Sequence, residues 1–330
     1  MSRYREQIAA ALRAVTIRGP TRYTWLGRAS RPLTPELEAE LDDAARARYL
    51  VSCLGEELYW SFYCRGRPVP ARWGEPEPVA PDPWLAAALS DANTGRGSWE
   101  RGWTVETLEG REAVVANAVV RARIPMRDCR APAGVHPGAA VSVRLPSELP
   151  SLSPGFYTAV GDAPADVESQ PRVVRAYWHV TRTGAPALLR ALTGRLNAAE
   201  VPFRLKVADH PFRLDRCDAA VLYLPGAGLE AVRETLLDVA AGLTAHLRPW
   251  IPAFTLQLAP GVGLAEHDGR AESFGTRRCR LLAEGIVRAY LDGLTGVATR
   301  IAAVADRFAE DGVRIDAPYR DPSFSGRHVL

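Results

Sequence analysis

Four stretches in the second half of the chain decide the fold: RVVRAYWHV (172–180), ALLRALTGRLNAA (187–199), FRLKV (203–207) and DAAVLYL (218–224). The first is rich in β-branched and aromatic residues and reads as a strand. The second spaces its leucines as one face of a helix. The third and fourth are short strands. A long helix is expected over 228–247, then a loop, then a final helix over most of 277–308. This order predicts an α+β fold, with helices packed on a mostly antiparallel sheet.

Alternation along these strands has a chemical consequence. Tyr177 and His179 share one face of their strand while Trp178 points to the other. Arg204 and Lys206 share a face, as do Ala219, Val221 and Tyr223. If the three strands are neighbours, His179, Lys206 and Tyr223 converge. The plainer alternative for His179 is a packed core histidine, and for Tyr223 a core or interface residue.

Working outward, WTVETL, EAVVANAVVRARI and AVSVRL (between 103 and 145) read as strands, and SLSPGFYTAVGD as a turn into another. The first hundred residues read mainly as helix. One helix covers 4–14. A second opens at Thr34-Pro35-Glu36-Leu37, with a threonine cap and a proline in the first turn, and runs on into LGEELYWSFYC. A proline-rich linker, PVPARWGEPEPVAPDPW, precedes a short helix, PWLAAALSDAN. The expected division is a helical region at 1–100 and an α+β domain at 101–330. The last twenty residues are expected to be loosely ordered.

With 330 residues, 47% of them hydrophobic, the chain can bury a substantial core. No apolar run approaches the ~20 residues of a membrane-spanning helix. The N-terminus, MSRYREQIAAALRAV, carries charges where a signal peptide is apolar. The expectation is a cytoplasmic protein without a membrane partner. Five scattered cysteines lack any CxxC pair, so neither a zinc site nor a disulfide framework follows. A net charge of +3, with no dense basic run, makes nucleic acid a poor partner.

The 41 basic residues comprise 40 arginines and one lysine, Lys206. Such a bias fits a GC-rich coding sequence in which lysine codons drift to arginine wherever either serves. Arginine cannot be deprotonated in a protein, whereas a lysine amine can be made neutral by burial and positive neighbours. Lys206 is therefore a candidate for proton transfer, against the alternative of chance survival on a surface strand. Arg213 and Arg216 lie between two of the strands, and Arg277, Arg278 and Arg280 follow Ser273-Phe274-Gly275. The stretch GVGLAEHDGRAESFGTRR (261–278) reads as a polar lid or binding loop leading into a helix. A helix N-terminus beside arginines suits an anion such as phosphate.

On RAYWHV, PFRLKV, RCDAAVLYLP, LAPGVGLAE and ESFGTRRCRLLAEG, the chain resembles the HopA-type effector family, over roughly Gly155 to Gly285. That family has relatives among the lyase components of class V lanthipeptide and related peptide biosynthesis. LYWSFYCRG in the first hundred residues is similar too. A more distant likeness is to bacterial effector phosphothreonine lyases, which have a lysine-x-histidine strand, a second lysine strand, an arginine and a tyrosine strand, with further arginines downstream. The resemblance implies His179 as general acid, Lys206 as general base and Tyr223 as the strand tyrosine. It implies Arg216, with Arg213 as rival, before the tyrosine strand. Arg278, with Arg277 or Arg280 beside it, would add phosphate contacts. Arg204 shares the face of Lys206. Tyr177 stands where those enzymes have their first lysine, a departure that puts one contact in doubt unless Tyr177 or a nearby arginine replaces it.

The implied reaction is β-elimination of phosphate from phosphoserine or phosphothreonine in a ribosomal precursor peptide, with no metal and no cofactor. No nucleotide-binding loop or kinase motif is visible, so a separate kinase is expected as a partner. The helical N-terminal region is a candidate for the kinase or leader-peptide contact. Two alternatives stand beside this: a non-catalytic phosphopeptide-binding or kinase-activating subunit, and a Schiff-base enzyme using Lys206 as nucleophile.

Overall fold

The structure, a computed structural model, describes residues 2–71, 78, 80–118, 120–150, 152–163, 167, 172–267, 272–324 and 330. In chain order the elements are α1 (Arg3–Ala14), β1 (Val15–Gly19), β2 (Arg22–Trp25), β3 (Arg28–Ala29), α2 (Pro35–Glu40), α3 (Asp43–Ser61) and α4 (Pro83–Ala92). Then follow β4 (Ser98–Glu109), β5 (Glu112–Ala116), β6 (Arg121–Pro125), β7 (Cys129–Arg130), β8 (Ala140–Leu145), β9 (Phe156–Val160) and β10 (Val173–Trp178). The chain continues with α5 (Gly184–Ala198), β11 (Arg204–Ala208), β12 (Ala220–Pro225) and α6 (Leu229–Gly242). It closes with β13 (Leu256–Ala259), β14 (Val262–His267), α7 (Phe274–Leu291) and α8 (Val297–Glu310). The fold is α+β, as the sequence predicts.

The six-stranded sheet has the order β13-β14-β10-β12-β11-β9, with every neighbouring pair antiparallel. Strict alternation gives it two unlike faces. Val174, Ala176, Trp178, Leu205, Val207, Leu222 and Leu224 bury one face among α4, α5 and α6. Tyr177, Val221, Tyr223 and Ala265 on the other face join a core built with α1, α3, α7 and α8. A separate five-stranded sheet, β6-β5-β4-β8-β7, has its own small core around Trp103, Val115 and Val143.

Several local expectations are corrected. The first hundred residues contain a three-stranded sheet, β1-β2-β3, as well as helices. Its β2–β3 turn is the two-residue Leu26-Gly27, both at positive φ (47° and 82°), the geometry that matches strand twist. The expected helix from Thr34 onward is two helices. Leu41 is extended, and Asp42 restarts the helix by accepting a hydrogen bond from the Ala45 amide. EAVVANAVVRARI holds two strands rather than one, because it folds back at Asn117 into the β5–β6 pair. The helix expected over 228–247 ends at Gly242, with a short 3-10 turn beyond it. The final helix breaks at Gly293 (φ 67°) into α7 and α8.

The reading of 261–278 as a lid fails for Val262–His267, which is the fully buried strand β14. Alternating Gly, Ala and Leu make that strand narrow enough to sit beside β10. Residues 268–271 of that stretch lie outside the described residues, as does most of the proline-rich linker. Nor are the last residues loose as far as 324. Val313, Ile315 and Phe324 are buried, and Asp321 pairs with Arg277. Residues 325–329 lie outside the described residues.

Candidate functional site

Register places the candidate residues in rows across one face of the six-stranded sheet. In one row Ala265, Arg175, Tyr223, Arg204 and Val160 stand side by side on five strands. In the next are Gly263, Tyr177, Val221, Lys206 and Thr158. His179, just past β10, donates its amide to Gly261 and so begins a third row. Ala219 accepts from the amide of Ala208, and Ala208 pairs with Phe156, which extends that row. His179, Tyr177, Lys206, Arg204 and Tyr223 therefore share one face, as alternation predicts.

Lys206 Nζ stands 5.0 Å from the centre of the Tyr223 ring. Arg175 Cζ stands 5.0 Å from the same ring, so two cations flank one aromatic ring. Lys206 is half-buried and Tyr223 buried. Beside Lys206, the buried Thr158 hydroxyl has no hydrogen-bond partner. His179 and Lys206 are one row and two strands apart, about 12 Å between Cα atoms from ordinary strand spacing and rise. They do not touch.

His179 is buried, and its Nδ1 lies 3.2 Å from the Trp250 carbonyl oxygen. A carbonyl only accepts, so Nδ1 carries the proton and Nε2 presents a lone pair. Nε2 is buried and has no hydrogen-bond partner. Burial first, and then the nearby Arg248, push the imidazole down to about 4, so it is neutral at pH 7. Tyr177 is buried against Phe274 and Tyr63, and burial pushes its hydroxyl up to about 12.

Arg175 is the residue the sequence reading passed over. It lies in the quoted strand RVVRAYWHV, two positions before Tyr177, so the same alternation puts it on the face of Tyr177 and His179. It adds a third cation to the face that carries Arg204 and Lys206.

The loop arginines differ from one another. Arg216 is buried, and its guanidinium grips Asp218 with Nε 2.8 Å from Oδ1 and Nη2 2.7 Å from Oδ2. Nη2 also donates to the Tyr59 hydroxyl at 2.9 Å, and Cζ lies 4.6 Å from the Trp60 ring centre and 5.9 Å from that of Phe156. Phe156 lies on the site face, so Arg216 stands at its border. Arg213 donates to the Pro78 carbonyl at 2.6 Å and lies 3.7 Å from Asp209. It lies flat on Gly155, where an added Cβ would come within 2.5 Å of Nε.

The α7 arginines are held by protein partners, and Arg278 lies behind Tyr177, with its Cζ 4.7 Å from the Phe274 ring that packs on Tyr177. Arg277 pairs with Asp311 and Asp321, and Arg280 with Glu272 and Glu284. Arg278 is fully buried and donates to the carbonyls of Pro318 and Arg320. Burial, then Arg277, push it down to about 10. The Ser273 hydroxyl already caps the first turn of α7 by accepting from Thr276. The structure thus gathers Lys206, Tyr223, Arg204, Tyr177 and His179, with Arg216 at the edge. Arg277, Arg278 and Arg280, like Arg216, have protein partners.

A cavity of about 500 Å³ adjoins the border at Arg216, between the β1–β2 hairpin, α3 and the 211–216 turn. Among the described residues, no three His, Cys, Asp or Glu side chains are grouped as metal ligands. Among them, too, no helix is long and apolar enough to cross a membrane. All five cysteines are free thiols, four of them buried.

Two solved structures are similar in outline. One is described as the structure of the effector protein from Pseudomonas syringae pv. tomato strain DC3000. It matches with a TM-score of 0.41 and 13% identity, over 82% of this chain and 98% of the other. The second is described as the structure of the effector protein from Pseudomonas syringae pv. syringae strain 61. It matches with a TM-score of 0.39 and 19% identity, over 50% of this chain and 62% of the other. No curated protein matches the chain. The family model of the HopA1 effector proteins matches residues 147–320, a span that holds β9 to α8 and every candidate residue named above. The chain belongs to the HopA1 effector protein family.

Proposed function

We propose that the protein eliminates phosphate from phosphoserine or phosphothreonine in a ribosomal precursor peptide, leaving dehydroalanine or dehydrobutyrine. The observation that carries this reading is the position of Lys206. The one lysine of the chain stands over Tyr223, on the same sheet face as Arg175, Tyr177 and His179. The Lys206 amine removes the α-proton, and that C–H electron pair becomes the Cα=Cβ bond. The Cβ–Oγ bond breaks, and its electron pair leaves on phosphate. Arg175, Arg204 and the Arg216 border supply positive charge for the leaving group, and Tyr223 a hydroxyl. Water is not consumed.

His179 supplies the proton to the leaving oxygen. In the free protein it is neutral, so its protonation accompanies the arrival of the phosphate anion, which raises its proton affinity. The phosphate is installed beforehand by a separate kinase, and residues 1–100 provide the contact for that kinase or for the precursor's leader.

The test is purified protein with a phosphorylated peptide, read by mass spectrometry for loss of phosphoric acid. Near-normal elimination by Lys206→Arg would remove the lysine from the mechanism. Normal turnover by His179→Ala would remove the acid separately, provided both variants keep their melting temperature. One observation favours a second reading, a phosphopeptide-binding or kinase-activating subunit: His179 is neutral and its Nε2 is buried. That reading predicts a phosphopeptide that is bound and recovered unchanged.

A further inference from the structure

The geometry points to the cavity beside Arg216 as a peptide subsite, which receives an apolar or aromatic side chain a few residues from the phosphorylated residue. This deepens the proposed function and rests on its assignment of the sheet face to the phosphorylated residue. Three observations carry it.

The first is continuity. Arg216 lines the cavity and also stands 5.9 Å from the ring of Phe156 on the site face. A chain whose phosphorylated side chain lies over Lys206 therefore reaches the cavity within about three or four residues, at ~3.4 Å per extended residue. The second is size and wall chemistry. About 500 Å³ lies at the ordinary scale of a small-ligand pocket, and Tyr23, Tyr49, Trp60 and Phe212 give it aromatic walls.

The third is the state of its charges. Arg216 is neutralised by Asp218, Arg213 leans on Asp209, and Arg65 donates to the Asp215 carbonyl. The deep cations thus have internal partners, and a second phosphate would displace those pairs. A flat side chain instead meets aromatic faces, with peptide groups turned to the Ser30 and Thr21 hydroxyls at the lining. Such anchors confer preference for sequence around a modified residue without touching the reacting bonds.

The probe is an oriented library of peptides with one fixed phosphoserine and randomised flanking positions. It is passed over the immobilised full-length protein, and the retained fraction is sequenced. Selection for apolar or aromatic residues at a single flanking position, at least ~5-fold, is expected. Ser30→Trp, which puts an indole into the cavity, is expected to abolish that selection. Tyr49→Ala, which removes a wall, is expected to weaken it.

Retention without positional selection, or selection unchanged by Ser30→Trp, overturns the subsite. A matching melting temperature for Ser30→Trp excludes misfolding, and Tyr49→Ala reads the same wall independently. Retention is scored on binding, so absence of elimination leaves this test intact. Selective retention without any loss of phosphoric acid would sink the lyase reading alone and leave the subsite standing.

Discussion

The two faces of the six-stranded sheet are made by the same strands and differ by one residue of phase. On one side stand Trp178, Leu205, Val207, Leu222 and Leu224, all fully buried. On the other stand Tyr177 and Tyr223, buried, with Arg175, Arg204 and Lys206 half-buried among them. The apolar face owes its stability to area removed from water. The polar face keeps cations beside aromatic rings, where their hydration is reduced but not lost. Both faces help hold the fold, and on the second Arg175, Arg204 and Lys206 stay half-buried beside the packed aromatic rings.

The contrast is sharpest where effects on activity and stability separate. Lys206→Arg is expected to lower elimination ~10²–10⁴-fold, the usual worth of a general base, or about 3–5 kcal/mol of barrier. Thermal unfolding should move little, and a large fall in melting temperature would make the lysine structural. Trp178→Ala, next to Tyr177 and on the opposite face, should cost ~3–5 kcal/mol of stability in a denaturant titration. A cost below ~1 kcal/mol would mean that the apolar face is not the foundation.

His179 ties the two properties together. Its proton affinity is lower when folded (about 4) than when exposed (6.5), because burial disfavours the cation. Between those values the unfolded chain binds a proton that the folded one does not. Stability therefore falls as pH is lowered from 6.5 towards 4, by up to ~3 kcal/mol. His179→Asn should flatten that slope in pH-dependent melts, and an unchanged slope would place the titration elsewhere. The smallest effect is expected outside both faces. Arg280→Ala removes half-exposed pairs with Glu272 and Glu284 and should cost less than ~1 kcal/mol. It should also leave elimination intact. A large catalytic loss there would bring the α7 arginines back to the phosphate.

Much of the polar face was legible because alternation is a local rule. Tyr177 and His179, Arg204 and Lys206, Val221 and Tyr223 sort by position within five-to-nine-residue stretches. Arg175 obeys the same rule and was missed only because arginines are so common in this chain that none stood out. The fate of Arg277 and Arg278 was not legible. Their partners, Asp311, Pro318, Arg320 and Asp321, come from a distant segment, and only tertiary packing brings them together. β14 was misread for a related reason. Gly263 within it and Gly261 before it suggest a loop, but Val262–His267 is a buried strand paired with β10. The breaks at Leu41 and Gly293 depend on single residues inside otherwise helical patterns, where periodicity is a weak guide.

The core that joins α1, α3, α7 and α8 has a consequence for synthesis on the ribosome. Arg300 donates to the Leu12 carbonyl across a separation of 288 residues, and Ile8 and Leu12 share one cluster with Val304 and Phe308. The apolar flank of the first helices has no permanent cover until the last helix has emerged, whereas the apolar face of the sheet closes with α4, α5, α6 and β14 well before that. Folding should therefore be ordered, with the sheet and its inner helices consolidating first and the N-terminal helices docking last. In pulse-labelled hydrogen exchange, amides of β10 and β12 should become protected before those of α1. During that interval the exposed flank of α1 and α3 is the part of the nascent chain most in need of a holding chaperone.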